Sequence, residues 1–138
     1  MILVDTNVLV DVLEDDSDWA DWSIGQLRDL SQIHDLAINP IVYSELSLTF
    51  ERVEDLDAVL AELEVKFLEI PHEALFLAAK AFLRYRRNGG RKGNVLADFF
   101  IGAHAAVAGC PILTRDSGRY RVYFPSVRLV MPASGAAE

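Results

Sequence analysis

Met1-Ile2-Leu3-Val4-Asp5-Thr6-Asn7 is the stretch from which the rest of the chain is read. Ile2, Leu3 and Val4 have no polar residue among them, the pattern of a short strand covered on both faces in the middle of a parallel sheet. The strand ends in a carboxylate. Ligands of open α/β sheets bind just beyond the carboxyl ends of the strands, so a parallel sheet would aim Asp5 into a site crevice.

Working outward, the chain alternates strands with helical crossovers. Val8, Leu9, Val12 and Leu13 fall at helical spacing, and the acidic Glu14-Asp15-Asp16 marks a break. Ser17 or Asp18 is expected to cap a second helix with Trp19, Trp22, Leu27, Leu30 and Ile33 along one face. Leu36 to Ile38 reads as a second strand. Asn39-Pro40 starts a helix running from Ile41 to about Phe50, with Asn as the cap and Pro where its missing N–H is harmless. Glu54 to Leu63 is a further amphipathic helix, and Val65 to Ile70 an edge-like strand broken by Lys66 and Glu69. Pro71 opens a long helix that stops at Asn88-Gly89-Gly90. Val95 to Val107 is a helix apolar nearly all round, closed by Gly109. Pro111 to Thr114 and Val127 to Val130 supply two more strands. The order predicts an α/β domain: a central parallel sheet of about five strands covered by helices on both faces. Residues 1–132 form this single domain, and 133–138 a frayed tail.

Composition sets the class. The chain has 138 residues, 51% hydrophobic and 25% charged, which suits one globular domain. It has no apolar run near the ~20 residues of a membrane span and no signal-like N-terminus, so a soluble, cytoplasmic protein is expected. The lone Cys110 leaves no internal disulfide and no cysteine-based metal cluster. The net charge of −8 disfavours general attraction to nucleic acid, but the charge is segregated. Asp11 to Asp21 holds six acids and no base, read as solvated surface, and Arg84 to Lys92 five bases and no acid. That basic run fits either a helix end favoured by the dipole or a phosphate-binding rim.

Two strands end in carboxylates at equivalent places, at Asp5 and at Asp116 in Leu113-Thr114-Arg115-Asp116. Glu45 and Asp98 sit early in helices that follow loops on or near the same sheet edge. Buried carboxylates are costly unless a cation neutralises them. Oxygen ligands without His or Cys partners suit Mg²⁺ or Mn²⁺ rather than Zn²⁺. Singly, each acid could be a cap or a first-turn acid. Thr6, Asn7 and Thr114 are short polar groups able to orient the acids or to form turns. His34, His72 and His104 are scattered and read as ordinary packing or surface.

Val4-Asp5-Thr6-Asn7-Val8-Leu9, the helical Glu45 after Asn39-Pro40, Leu96-Ala97-Asp98-Phe99-Phe100-Ile101-Gly102-Ala103, and Leu113-Thr114-Arg115-Asp116 with Tyr123-Phe124-Pro125 together resemble the PIN-domain family. More narrowly they resemble the VapC-type ribonuclease toxins of prokaryotic toxin–antitoxin pairs. The resemblance runs from Ile2 to about Pro132. It implies an acidic quartet, Asp5, Glu45, Asp98 and Asp116, that binds one or two divalent cations, with Thr6, Asn7 and Thr114 in support. It further implies a homodimer and an antitoxin whose tail covers the acids. The implied reaction is metal-dependent hydrolysis of RNA. Arg86, Arg87, Arg91, Lys92 and Arg115, with Arg84, Arg119 and Arg121 as further candidates, would hold flanking phosphates.

Three other classes compete. A phospho-receiver module needs an Asp at the end of its third strand, where Glu69-Ile70-Pro71 stands, and a Lys near the end of its fifth. An Asp-x-Asp phosphatase would need an acid at Asn7. A non-catalytic binding module would keep the fold and lose the metal.

Overall fold

The computed structural model describes residues 1–91, 93 and 95–133. Five parallel strands, β1 (Ile2–Val4), β2 (Leu36–Ile38), β3 (Val65–Phe67), β4 (Ile112–Leu113) and β5 (Leu129–Val130), form one sheet in the order β3-β2-β1-β4-β5. All three residues of β1 and of β2 are buried. Successive side chains point to opposite faces, so both faces of the sheet centre are covered, as the uninterrupted apolar runs predict. At β3, Lys66 and Phe67 are exposed, which suits a sheet edge.

The helices are α1 (Thr6–Leu13), α2 (Ala20–Ser31), α3 (Pro40–Leu46), α4 (Val53–Glu62), α5 (His72–Arg87), α6 (Leu96–Ala108) and α7 (Gly118–Tyr123). Their local causes are mostly those expected. Asn39 caps α3, its Oδ1 accepting from the amides of Ile41 and Val42 at 3.0 and 3.1 Å. Gly89, at φ +88°, ends α5 in the left-handed conformation that glycine tolerates best. The helix-long stretch from Ile41 to Phe50 is interrupted, because α3 stops at Leu46 and a 3₁₀ turn covers Ser47–Thr49.

Three expectations are corrected. Neither Ser17 nor Asp18 caps α2; Asp16 Oδ1 instead accepts from the amides of Asp18 and Trp19, both at 2.9 Å, just before the helix. Ile33 lies beyond the end of α2 and is 79% exposed rather than on its buried face. A further helix, α7, follows β4 where the sequence pattern predicts none; its six residues are too few to display a helical period. The expected tail, from residue 134 onward, lies outside the described residues.

The core gathers β1, β2, β4 and the inner faces of α1, α3, α5 and α6. The packing of α6 against the end of α7 is especially close. A Cβ on Gly102 would collide with the Phe124 ring, so the residue after α7 sits directly on the helix that carries Asp98. Among the described residues no helix is long and apolar enough to cross a membrane.

Candidate active site

The order β3-β2-β1-β4-β5 makes β1 and β4 the neighbours at which the chain reverses direction across the sheet, the place where α/β folds open a crevice. Asp5 and Asp116 leave from that place. Asp5 is 5% exposed and starts α1, yet its side chain makes no capping bond. Three donors meet its Oδ2 instead: Tyr120 Oη at 2.8 Å, Thr114 Oγ1 at 2.9 Å and Asn7 Nδ2 at 3.5 Å. Thr114 Oγ1 also accepts from the Asp116 amide at 3.0 Å, so one hydroxyl ties the two strand ends together. Asn7 Nδ2 reaches the same hydroxyl at 3.3 Å.

The helices bring the other two acids. Glu45, in α3, accepts from Thr6 Oγ1 at 2.6 Å, which ties α3 to the start of α1. Asp98, in the first turn of α6, is bonded by Arg119 Nη1 of α7 at 2.7 Å. The four acids are near enough for their charges to act on one another. Burial, then repulsion from Asp98, lifts the Asp5 carboxyl to about 6. Burial raises Asp98 as well; the Arg119 guanidinium pulls it back down, and Asp116 and Glu45 push it up. Tyr120, buried against these acids, is raised well above the ordinary phenol range, so it stays protonated as a donor to Asp5.

This cluster fits a hard divalent cation by its donor set, which is oxygen only, and by the mutual repulsion that a cation would relieve. His104 lies apart from it: the ring is buried, Asn39 Nδ2 donates to its Nδ1 at 3.3 Å, and burial lowers its pKa. As the side chains stand, no three acids among the described residues close on a single point as ligands would. Asp98 is turned to Arg119 and Glu45 to Thr6. Ion binding would therefore exchange these partners.

Of the basic residues, Arg84, Arg86 and Arg87 form the last turn of α5, where they complement the helix dipole, and Arg87 and Arg91 are exposed. Lys92 lies outside the described residues. Gly93 lines a cavity together with Glu45, Leu48, Leu96 and Ala97. Arg115 is committed elsewhere. Its Nε and Nη2 bond Asp11 Oδ2 and Oδ1 at 2.8 and 2.9 Å, and its guanidinium lies over Trp19, 5.3 Å from the ring centroid. That pairing also corrects the view of Asp11 as solvated, since it is 2% exposed and accepts from Ser23 Oγ at 3.0 Å. Arg115 is thus a clamp between α1 and the turn that carries Asp116, and its amide donates to Asn7 Oδ1 at 3.4 Å.

Two participants escaped the sequence: Asp11 and Tyr120. Tyr120, in the short α7 and 115 residues from its partner Asp5, gave no local signal. Asp11 gave none, lying in a run of acids whose other members are mostly on the surface.

A family model described as PIN domain matches residues 2–125. A comparison with curated proteins yields no match. Among solved structures, the chain is similar to one in the VapBC2 complex of Rickettsia felis bound to a promoter DNA fragment, at TM-score 0.74 and 21% identity, covering 96% of this chain and 99% of that one. It is similar to one in VapBC-1 from nontypeable Haemophilus influenzae (TM-score 0.71, 16% identity, 95% and 98% covered). A third is in DNA-bound VapBC from Salmonella typhimurium (TM-score 0.69, 17% identity, 95% and 98% covered). At these identities the likeness is one of fold.

Proposed function

The chain belongs to the PIN domain family, and from that premise we propose that it is a Mg²⁺- or Mn²⁺-dependent endoribonuclease acting as the toxin of a toxin–antitoxin pair. The observation that carries this is the assembly of Asp5, Glu45, Asp98 and Asp116 from four separate segments at one sheet edge, where burial and mutual repulsion raise the Asp5 and Asp98 carboxyls. The toxin role and the antitoxin partner draw support from the similarity in fold to VapBC complexes; the homodimer follows from the family resemblance alone.

Asp5 and Asp98 would be the principal ligands, with Glu45 and Asp116 completing the set. A divalent ion held there would supply Lewis acidity toward water and the scissile phosphodiester. The chain's own residues do the positioning. Tyr120, Thr114 and Asn7 hold Oδ2 of Asp5 by donated hydrogen bonds, which orients the rest of the carboxylate. Thr6 sets Glu45, and Thr114 sets the backbone at Asp116. Arg119, which bonds Asp98 at 2.7 Å, would be placed to meet phosphate oxygens if Asp98 served as a ligand.

Incubation of total or synthetic RNA with the protein should give discrete fragments with Mg²⁺ or Mn²⁺ and none with excess EDTA. Equal cleavage in EDTA would rule the assignment out. Ion binding should also be visible as stability. The folded pKa of Asp5, about 6, stands above its ordinary 3.8, so in ion-free protein its contribution to stability is complete below pH 4 and lost as pH rises through 6. A cation offsets that loss. Mn²⁺ should therefore raise the melting temperature clearly at pH 8 and little at pH 5, where Asp5 holds a proton. A melting temperature indifferent to Mn²⁺ at pH 8 would instead favour a non-catalytic module.

A further inference from the structure

Beside the acids, between the end of α5 and α7, lies an open cavity of about 420 Å³ lined by Tyr85, Asp116, Gly118, Arg119, Val122 and Tyr123. Its aromatic wall is fixed from behind. The Tyr85 and Tyr123 rings meet edge to face with centroids 5.9 Å apart, and each packs on the buried Phe99, at 5.3 and 5.4 Å. Asn88 Nδ2 donates to the Tyr123 hydroxyl at 3.5 Å. Two guanidinium groups lie over these rings, Arg84 at 5.7 Å from the Tyr123 centroid and Arg119 at 5.8 Å from that of Tyr85. Both tyrosines remain half-buried, and Val122 is 62% exposed.

In a chain of net charge −8, this cavity interleaves aromatic faces with cations and has an acid of the site in its wall. Aromatic rings stack on any base, and guanidinium groups bind phosphate, which together make a single-strand binding surface. The tyrosines are anchored in the core, so little ordering cost remains to be met on binding. A base in a duplex is already stacked and paired and cannot offer its face to such a wall.

We propose that this cavity is a subsite for one unpaired nucleotide of the RNA, adjoining the phosphodiester that is cut. Its base stacks against the Tyr85–Tyr123 pair, and its phosphate is held by Arg119 and Arg84. This rests on the ribonuclease function above and assigns the grip on that nucleotide to Tyr85, Tyr123, Arg84 and Arg119.

The test uses Glu45→Gln protein with Mg²⁺, in which the RNA stays intact, and fluorescence anisotropy of one labelled RNA offered single-stranded and as a duplex. The single strand should bind about tenfold tighter than the duplex, the size of one base stack. Tyr123→Leu should remove most of that advantage, while Tyr123→Phe, which keeps the ring, should retain it. Val122→Glu changes an exposed side chain, cannot disturb the core, and should weaken single-strand binding by charge alone. Equal binding of duplex and single strand, or unchanged binding by Tyr123→Leu and Val122→Glu, overturns the subsite. If Tyr123→Leu fails to fold by its melting curve, Val122→Glu decides. Should the protein with Glu45 intact cut no RNA in Mg²⁺, the function itself falls; if it cuts and the variants bind as the parent does, the subsite alone falls.

Discussion

Asp5→Asn is expected to abolish RNA cleavage and at the same time to make the ion-free protein more stable. Loss of a principal ligand should exceed the 10–100-fold typical of removing a residue that only supports one, so a fall of at least about 100-fold is expected. The stability gain has a separate cause. Asp5 is buried and its carboxyl is lifted to about 6, so keeping it ionised at pH 8 costs the fold on the order of 3 kcal/mol. All three hydrogen-bond donors sit on Oδ2, so an Asn oxygen can take that place and turn the amide toward the neighbouring acids. The charge is removed and the acceptor kept. Melting of the ion-free variant at pH 8 should rise by roughly 10 °C over the parent. At pH 4 the two should converge, because the parent's Asp5 is then protonated. A variant that is inactive because it has unfolded would melt lower, so the two explanations separate in one scan.

Arg115→Met is expected to be among the most damaging single changes away from the acids. It leaves Asp11, 2% exposed, with Ser23 as its remaining side-chain partner. Breaking a buried ion pair from one side costs about 3–5 kcal/mol. Arg115 is itself 30% exposed, so water can partly replace it and the lower end, about 3 kcal/mol, is expected. The double variant Asp11→Asn with Arg115→Met should recover much of that loss, since the uncompensated charge is gone. Chemical denaturation of the two single variants and the double variant checks this. If Arg115 instead served only to hold RNA phosphate, Arg115→Met would weaken RNA binding and leave the denaturation midpoint where it was.

The parts of this site that were legible in the sequence are those set by local rules. Ile2-Leu3-Val4 and Ile112-Leu113 are unbroken apolar runs, so Asp5 and Asp116 could be placed at strand ends. Asn39-Pro40 is a helix start by its own chemistry, which fixed where Glu45 stands. What stayed hidden depends on partners far along the chain. Asp11 and Arg115 are 104 residues apart, and the same is true in kind of Tyr120 and Asp5, 115 apart. Neither pairing leaves a periodicity to read. A run of acids averages to a solvated surface, and only the packing of α1 on α2 shows that one of them is buried. The short α7 was missed for a similar reason. Its place is secured by Phe124 on Gly102 and by Tyr120 under Asp5, contacts that exist only once the sheet has formed.

The proposed chemistry depends on Asp5, Glu45, Asp98 and Asp116 acting as one divalent-cation site. Binding of Mn²⁺ at pH 8, followed through its electron paramagnetic resonance signal in the parent protein and in Asp5→Asn, tests it most directly. Saturable binding of one or two ions by the parent, weakened at least about tenfold in the variant, is the predicted result. Identical isotherms for the two proteins, or no binding by the parent, would contradict it.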